Sequence, residues 1–336
     1  MRRLLLATLL LVALACSGSA DPVTLTLIAH DSFADAVDEH TFASLSRETG
    51  IGVEVLAAGD AGAMVNQAIL TKDNPLADVL FGIDDTFLQR GVDAGIFEPF
   101  TTERLADIRP ELLPATDRLT PIDFGDVCLN YDKETMANPP TTLNELPAMA
   151  DQLVVEDPSL SSPGLAFLLV TIERYGEDGW QDYWAELRDN GVLVAPGWTE
   201  AYYGEFSGGA GEGTRPLVVS YASSPPVEVL FSDPPVTEAP TGVITDGCYR
   251  QTEFAGILAG TEHSDEAGQL IDFMLSPEFQ ATIPLTWFVY PANSTVALPD
   301  LFVEHSSVVE HAIALDPEVI EQNRERWLNE WADLFA

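Results

Sequence analysis

Val23-Thr24-Leu25-Thr26-Leu27-Ile28 opens a stretch that reaches Ala94 and decides the fold. The segment alternates and then turns apolar, which is a strand pattern. His30-Asp31-Ser32-Phe33 follows, with Asp31 and Ser32 as N-cap candidates for a helix expected from Ala34. Ile51-Gly52-Val53-Glu54-Val55-Leu56 reads as a second strand. Gly59-Asp60-Ala61-Gly62 leads into a helix expected over Ala63 to Thr71, with Asp60 as its cap. Ala77-Asp78-Val79-Leu80-Phe81-Gly82-Ile83 is a third strand, carries Asp84-Asp85 at its carboxyl end, and precedes a helix from about Thr86 to Ala94. Strands alternating with helices predict a parallel sheet covered by helices, an α/β fold. Asp31, Asp60 and Asp84 each follow a strand's carboxyl end, and in such a sheet those ends share one rim where ligands bind. Three helix caps would produce the same pattern, so the two roles stay open at this point.

Outward from this stretch the elements continue to alternate. Pro121-Ile122-Asp123-Phe124-Gly125 leads into a strand Asp126 to Tyr131, and a helix is expected at Leu143 to Ala150. Leu153 to Glu156 is a strand. Ser161-Ser162-Pro163-Gly164 opens an apolar helix, with Ser162 as cap and Pro163 at its first position. Free N–H groups at such a start, together with serine hydroxyls, can hold a phosphate; capping alone is the simpler role. A helix Gly179 to Asp189 and a strand Gly191 to Val194 precede the segment Pro196 to Pro226, which holds Trp198, Tyr202, Tyr203 and Tyr221 beside abrupt Pro and Gly stops. Flat aromatics at a crevice suit a flat or cationic ligand; ordinary core packing is the alternative. Phe231 to Thr241 reads as loop, Cys248 to Gly256 as a strand, Ser264 to Leu275 as an amphipathic helix and Pro284 to Pro299 as irregular. Asp316-Pro317-Glu318 caps a last helix to about Phe335.

Composition narrows the function. Lys and Arg number 15 against 54 Asp and Glu, for a formal net charge of −39. Nucleic-acid binding, which needs a basic patch, is excluded; the field attracts cations, and a salt-rich habitat is the simpler reading of most of the charge. Met1-Arg2-Arg3 followed by the apolar Leu4 to Leu14 is an export signal, expected to be removed as residues 1–15. Ala13-Leu14-Ala15-Cys16 resembles a lipoprotein cleavage box, so Cys16 is expected to carry lipid and anchor the exported chain to the membrane. Cys128 and Cys248 then remain as an even pair and predict one disulfide in an oxidising compartment. No metal-ligand spacing, cofactor motif or G-x-S-x-G nucleophile turn occurs.

The order and spacing of these segments resemble the thiamine-binding proteins that serve bacterial ABC importers. The markers are Asp31-Ser32-Phe33-Ala34, Gly82-Ile83-Asp84, Pro121 to Gly125, Glu156-Asp157-Pro158, Ser162 to Leu165, Gly197 to Tyr202, Ser220 to Pro225 and Ser276 to Gln280. The resemblance implies a type II periplasmic-binding-protein-like fold of two α/β lobes with a hinge and a ligand cleft. Its implied parts are a first lobe over 16–125, a second over 126–247, a return to the first over 248–299 and a C-terminal helical segment over 300–336. It implies thiamine, or its mono- and diphosphate, as ligand, an ABC permease as membrane partner, a monomer, and no catalysis. It carries stacking onto Trp198 and Tyr221, polar contacts onto Asp31, Ser32, Asp60 and Asp84, and phosphate contact onto Ser161 and Ser162. Tyr202, Ser223 and Phe288 complete the implied site. His30, Val227 and Phe288 stand where the family usually has tyrosine, tyrosine and tryptophan, and each loses or moves an aromatic contact. Ferric iron on the pair Tyr202-Tyr203 is the rival ligand on the same fold, and an exported hydrolase is the rival of another class.

Overall fold

The computed structural model describes residues 23–307 and 309–336. The signal segment and Cys16 lie outside them. The first strand–helix run forms β1 (Thr24–Ala29), α1 (Asp31–Ala36), α2 (Ala43–Thr49), β2 (Gly52–Ala57), α3 (Ala61–Leu70), β3 (Val79–Asp84) and α4 (Leu88–Ala94). β1 pairs in parallel with both β2 and β3, as the alternation of strand and helix predicts. The helices begin a few residues from the expected positions. His30, rather than Asp31 or Ser32, is the N-cap of α1, because its Nδ1 accepts the N–H of Phe33 at 3.2 Å. An imidazole acceptor at that position does the work of a carboxylate.

The chain then enters β4 (Thr120–Asp132), β5 (Leu153–Glu156), α5 (Ser162–Tyr175), α6 (Trp180–Asp189), β6 (Leu193–Ala195), β7 (Leu217–Tyr221) and α7 (Pro225–Phe231). It returns through β8 (Thr241–Ile257) to α8 (Ser264–Met274), α9 (Pro277–Gln280), α10 (Ile283–Thr286), β9 (Tyr290–Pro291), α11 (Asp300–His305) and α12 (Pro317–Phe335). The helix expected at Leu143 to Ala150 is a 3₁₀ segment, Leu143–Gln152, with Pro147 inside and a kink at Met149; proline denies an α-helix the hydrogen bond it needs there. Thr142 and Glu145 form a reciprocal capping box at its start.

One nine-stranded sheet runs in the order β2-β1-β3-β8-β4-β7-β5-β6, with β9 pairing on β4 off this path. Two lobes share it. β2, β1 and β3 belong to the first lobe and β7, β5 and β6 to the second, and the antiparallel pair β4 and β8 joins them. These two strands have 13 and 17 residues and serve both lobes, so the implied limits at 125 and 247 fall within continuous strands. β8 starts at Thr241, earlier than expected, because Thr241 to Ile244 pairs with Asp132 to Leu129 of β4. Between Val127 and Leu129 the register slips. At that slip Cys128 and Cys248 are joined by a disulfide across the two strands.

The first lobe packs Leu25, Leu27, Phe33, Phe81, Ile122 and Leu270 into one core. A larger core runs from Ile28, Met64 and Phe87 through Leu165 and Trp184 to Trp327 and Trp331. α12 therefore touches both lobes: Arg324 lies over Phe87 beyond β3, and Trp331 meets Trp184 of α6 edge-on at 5.7 Å. No helix among the described residues is long and apolar enough to cross a membrane.

Candidate ligand-binding cleft

A cleft of about 400 Å³ opens between the lobes. Clefts of this size take small molecules whole. Its second-lobe wall is aromatic. Trp198 lines it, with Tyr202 stacked behind at 5.0 Å and 18°. The Trp198 indole N–H donates to Ser220 Oγ at 2.9 Å. Tyr203 and Tyr221 also line it, and the Tyr221 hydroxyl donates to Gln251 Oε1 at 3.2 Å. The polar atoms of Trp198 and Tyr221 are thus tied to the protein. Gly125 makes room for Tyr221: a side chain there would meet its ring at 2.8 Å.

The floor and the opposite wall carry charge. His30, Ser32, Asp35, Asp60, Gln251 and Glu253 line it. His30 sits at the end of β1, packed against Gly82, whose φ of 95° and lack of a side chain leave room for the imidazole. Because Nδ1 accepts from Phe33, Nε2 faces Glu253 Oε1 at 3.2 Å, off the line of a hydrogen bond. Burial alone would lower the His30 pKa. Glu253, with Asp60 and Asp84, outweighs it and raises the pKa. Beneath Glu253 lies Asp123, fully buried, whose Oδ2 accepts the Trp287 indole N–H at 3.0 Å. Burial and the neighbouring Glu253 hold Asp123 well above the usual carboxylate range.

Asp60 caps α3 by accepting the N–H of Ala61 at 2.7 Å, and its second oxygen accepts the backbone N–H of Trp198 across the cleft at 3.0 Å. The capping role is realised, and the same side chain also lines the cleft. Ser32, Ser162, Tyr221 and Phe288 also line the cleft. Phe288 has a φ of 58° and packs edge-on against Phe231 of the other lobe at 6.0 Å.

The remaining expected residues sit elsewhere. Asp31 lies at the rim of an adjoining pocket, and its carboxylate holds the turn before α3 by accepting from Gly59 N at 2.8 Å. Asp84 is fully buried; it accepts from Thr86 N and Oγ1 and from Phe87 N, so it caps that turn. Burial pushes it up to about 6, against the hydrogen bonds of Thr86. Ser161, the cap position of α5, is enclosed with its hydroxyl unpartnered, and Ser162 is the first helical residue rather than the cap. Tyr202 is enclosed in a short π-helix, Glu200–Glu205, and its hydroxyl donates to buried Glu228 at 2.8 Å. Ser223 is enclosed, and Ser224 lines the cleft in its place.

His30 and Glu253 were not among the expected contacts. A single acidic residue, Glu253, directly before the apolar run Phe254-Ala255-Gly256-Ile257 is the available signal, and Asp123 between Ile122 and Phe124 is another. Charges inside buried strands are rare unless partnered.

Two lobes, a shared pair of crossing strands and a cleft walled by aromatics and floored by carboxyl groups define an extracytoplasmic solute-binding protein of type II topology. The sequence model of a family described as bacterial extracellular solute-binding protein matches residues 74–308, and the chain belongs to that family. It is similar to the thiamine-binding periplasmic protein of Escherichia coli (strain K12), 31% identical over 93% of each chain. It is also similar to the thiamine-binding periplasmic protein of Brucella suis biovar 1 (strain 1330), 30% identical over 92% of this chain and 91% of that one. Among solved structures, one titled periplasmic thiamin binding protein superposes with a TM-score of 0.82 at 27% identity, covering 93% of this chain and 96% of the other.

Proposed function

We propose that this chain is the thiamine receptor of an ABC importer: it binds one thiamine in the cleft and presents it to a membrane permease. The observation that carries the reading is the pairing of the aromatic wall, Trp198, Tyr203 and Tyr221, with the acidic floor at Glu253 and Asp60. Thiamine joins a cationic thiazolium to a flat aminopyrimidine. Aromatic faces and carboxylates stabilise the cation, and a carboxylate accepts from the amino group. The names of the two similar periplasmic proteins and of the similar structure agree. In this reading Trp198 and Tyr221 clamp the rings, Ser32, Ser162 and Phe288 shape the ends, and β4 and β8 form the hinge between lobes at about 16–125 with 248–299 and 126–247. The protein acts as a monomer held to the membrane by lipid on Cys16 and performs no chemistry. The lobes close on the ligand, and the closed form is what the permease reads.

The iron reading has little to stand on. The Tyr202 hydroxyl is spent on Glu228, which leaves Tyr203 without its partner, and no metal-binding group of His, Cys, Asp and Glu occurs among the described residues. Calorimetry on protein freed of bound ligand by unfolding and refolding tests the proposal. One-to-one binding of thiamine with quenching of tryptophan fluorescence is expected. Absence of both heat and thermal shift with thiamine ends it.

A further inference from the structure

We propose that His30 is a resident cation of the cleft: its protonated imidazole pairs with Glu253, and an arriving cationic ligand takes over that carboxylate as His30 returns one proton to solvent. The inference rests on the thiamine reading and adds a proton to what binding exchanges. Among the described residues lining the cleft, His30 is the one basic side chain. Its Nε2 stands 3.2 Å from Glu253 Oε1 and has no other partner. The two side chains are 11% and 10% exposed, so solvent screens the pair weakly. One carboxylate thus faces both the cleft and a titratable base, and a cation in the cleft competes with that base.

The ring has partners for either charge state. Ser32 Oγ lies 2.8 Å from Nδ1, and a hydroxyl donates to a neutral ring or accepts from a charged one. In the neutral form Nδ1 accepts from Phe33 N at 3.2 Å and keeps the α1 cap. In the charged form Nδ1–H points to Ser32 and Nε2–H to Glu253. Gly82 against the ring and the Phe81 ring at 6.0 Å fix its place. The charged groups around it are acidic: Glu253 of β8, Asp84 at the end of β3, Asp60 before α3, and Asp31 and Asp35 on α1 itself. Tyr221 of β7, with its hydroxyl tied to Gln251, stays neutral. Arg324 of α12 feels Asp84 but is engaged by the Thr86 carbonyl and by Glu321 at 3.2 Å. Burial disfavours a charged His30; Glu253, with Asp60 and Asp84, outweighs it and raises the pKa.

Asp123 is the other candidate source of a proton, and the geometry sets it aside. It stands opposite Glu253 across the β4–β8 ladder, is fully buried, and is held well above the usual carboxylate range. Losing its proton would leave two carboxylates side by side, of which one ligand cation offsets one. Losing the His30 proton instead leaves the charge of the cleft unchanged. One positive charge enters with the thiazolium and one leaves with the proton. Keeping both would set two cations on one carboxylate. The exchange ties affinity to pH. Acid keeps His30 charged and weakens the ligand by up to about tenfold per pH unit below the His30 pKa; above it, affinity levels off.

The test is calorimetry with thiamine between about pH 6.5 and about pH 8.5, in two buffers of different ionisation enthalpy at each pH. The difference in heat should report release of roughly half to one proton per thiamine at the acid end, shrinking toward the alkaline end, with affinity rising about tenfold over the range. An NMR titration of the wild-type imidazoles needs no variant: one of the five histidines should lose its proton when thiamine is added at about pH 6.5. His30→Gln should bind thiamine with no proton release and a flat pH profile. Where that variant does not fold, Glu253→Gln replaces it, since His30 without its carboxylate should stay neutral and release should vanish. Thiamine binding without proton release in the wild type overturns the proposal and leaves the thiamine reading standing. Release that persists in His30→Gln overturns it by assigning the proton to another group. No heat and no thermal shift at any pH sinks the thiamine reading instead.

Discussion

The two sides of the cleft are built on opposite rules. On the second-lobe side, the aromatics are held by packing, and two of them by a polar tether: Trp198 to Ser220, Tyr221 to Gln251. On the floor, the polar groups face one another: His30 toward Glu253, Glu253 toward Asp123, Asp123 toward Trp287. The wall is held by contacts between rings, Trp198 against Tyr202 and Tyr203, and carries no charge of its own. The floor is a network, and each member's charge depends on the next. An aromatic wall gives affinity for any flat molecule. In the proposed reading, a carboxyl floor on the hinge strands favours a cation.

Four measurements would break or sharpen that contrast. The largest effect should come from untying the floor's two strands. Cys128→Ser with Cys248→Ser opens a loop of 120 residues, and the chain-entropy argument gives a loss of about 4–5 kcal/mol in unfolding free energy, read by denaturant titration. A loss below 1 kcal/mol would show that the hinge strands do not depend on the bridge.

Next comes the wall. Trp198→Ala and Tyr221→Ala should each weaken thiamine by about 1–3 kcal/mol, with Trp198→Ala also abolishing most of the fluorescence quenching. Normal affinity in both variants would remove the aromatic clamp from the proposal. The floor follows. Glu253→Gln keeps the shape and removes the charge, so thiamine should bind about tenfold more weakly while an uncharged pyrimidine analogue is unaffected. Equal losses for both ligands would mean that Glu253 acts by shape alone.

The smallest effect is a pH dependence of the empty protein. Burial raises Asp84 to about 6, and burial with Asp84 beside it raises Asp85 to about 8. The folded state therefore holds protons that the unfolded chain, with carboxyl pKa values near 4, has already released. That stabilisation is complete at acid pH and is lost as pH climbs through about 6 and then about 8. The raised His30 acts in the same direction. The melting temperature should fall by roughly a few degrees between pH 5 and pH 8.5, and Asp85→Asn should flatten the slope. A melting temperature that rises with pH over this window contradicts the assignment.

Much of this molecule can be read from its residues before any coordinates. The alternation around β1, β2 and β3 implies the parallel half of the sheet, and the even cysteine pair matches the bond seen between β4 and β8. Trp198, Tyr221 and Asp60 stand beside strand ends and do face the cleft. Facing direction is what sequence conveys poorly. Tyr202 and Ser161 occupy the right segments, yet a π-helix turns the first toward Glu228 and the second is enclosed at its cap. The His30–Glu253 approach joins β1 to a strand near the other end of the chain, and no local pattern encodes a pairing over such a distance. Glu253 also sits beyond a register slip in β8, which sets the face it presents and follows no simple alternation.

Asp60 has a consequence for how tightly a ligand can be held. Its carboxylate starts α3 in one lobe and accepts the Trp198 N–H of the other, and Gly62 N donates across the same gap to the Leu160 carbonyl at 2.9 Å. Both bonds join groups of the chain itself, so part of what holds the two lobes together is supplied by the protein and not by the cargo. A receptor that spends a fraction of its time shut before its cargo arrives loses less of the intrinsic affinity to the work of shutting, since apparent affinity scales with the fraction of competent molecules. The same two bonds must break before cargo can leave. In the proposed receptor, Asp60 would link the tightness of capture to the speed of release, and the permease would supply whatever free energy separates the two.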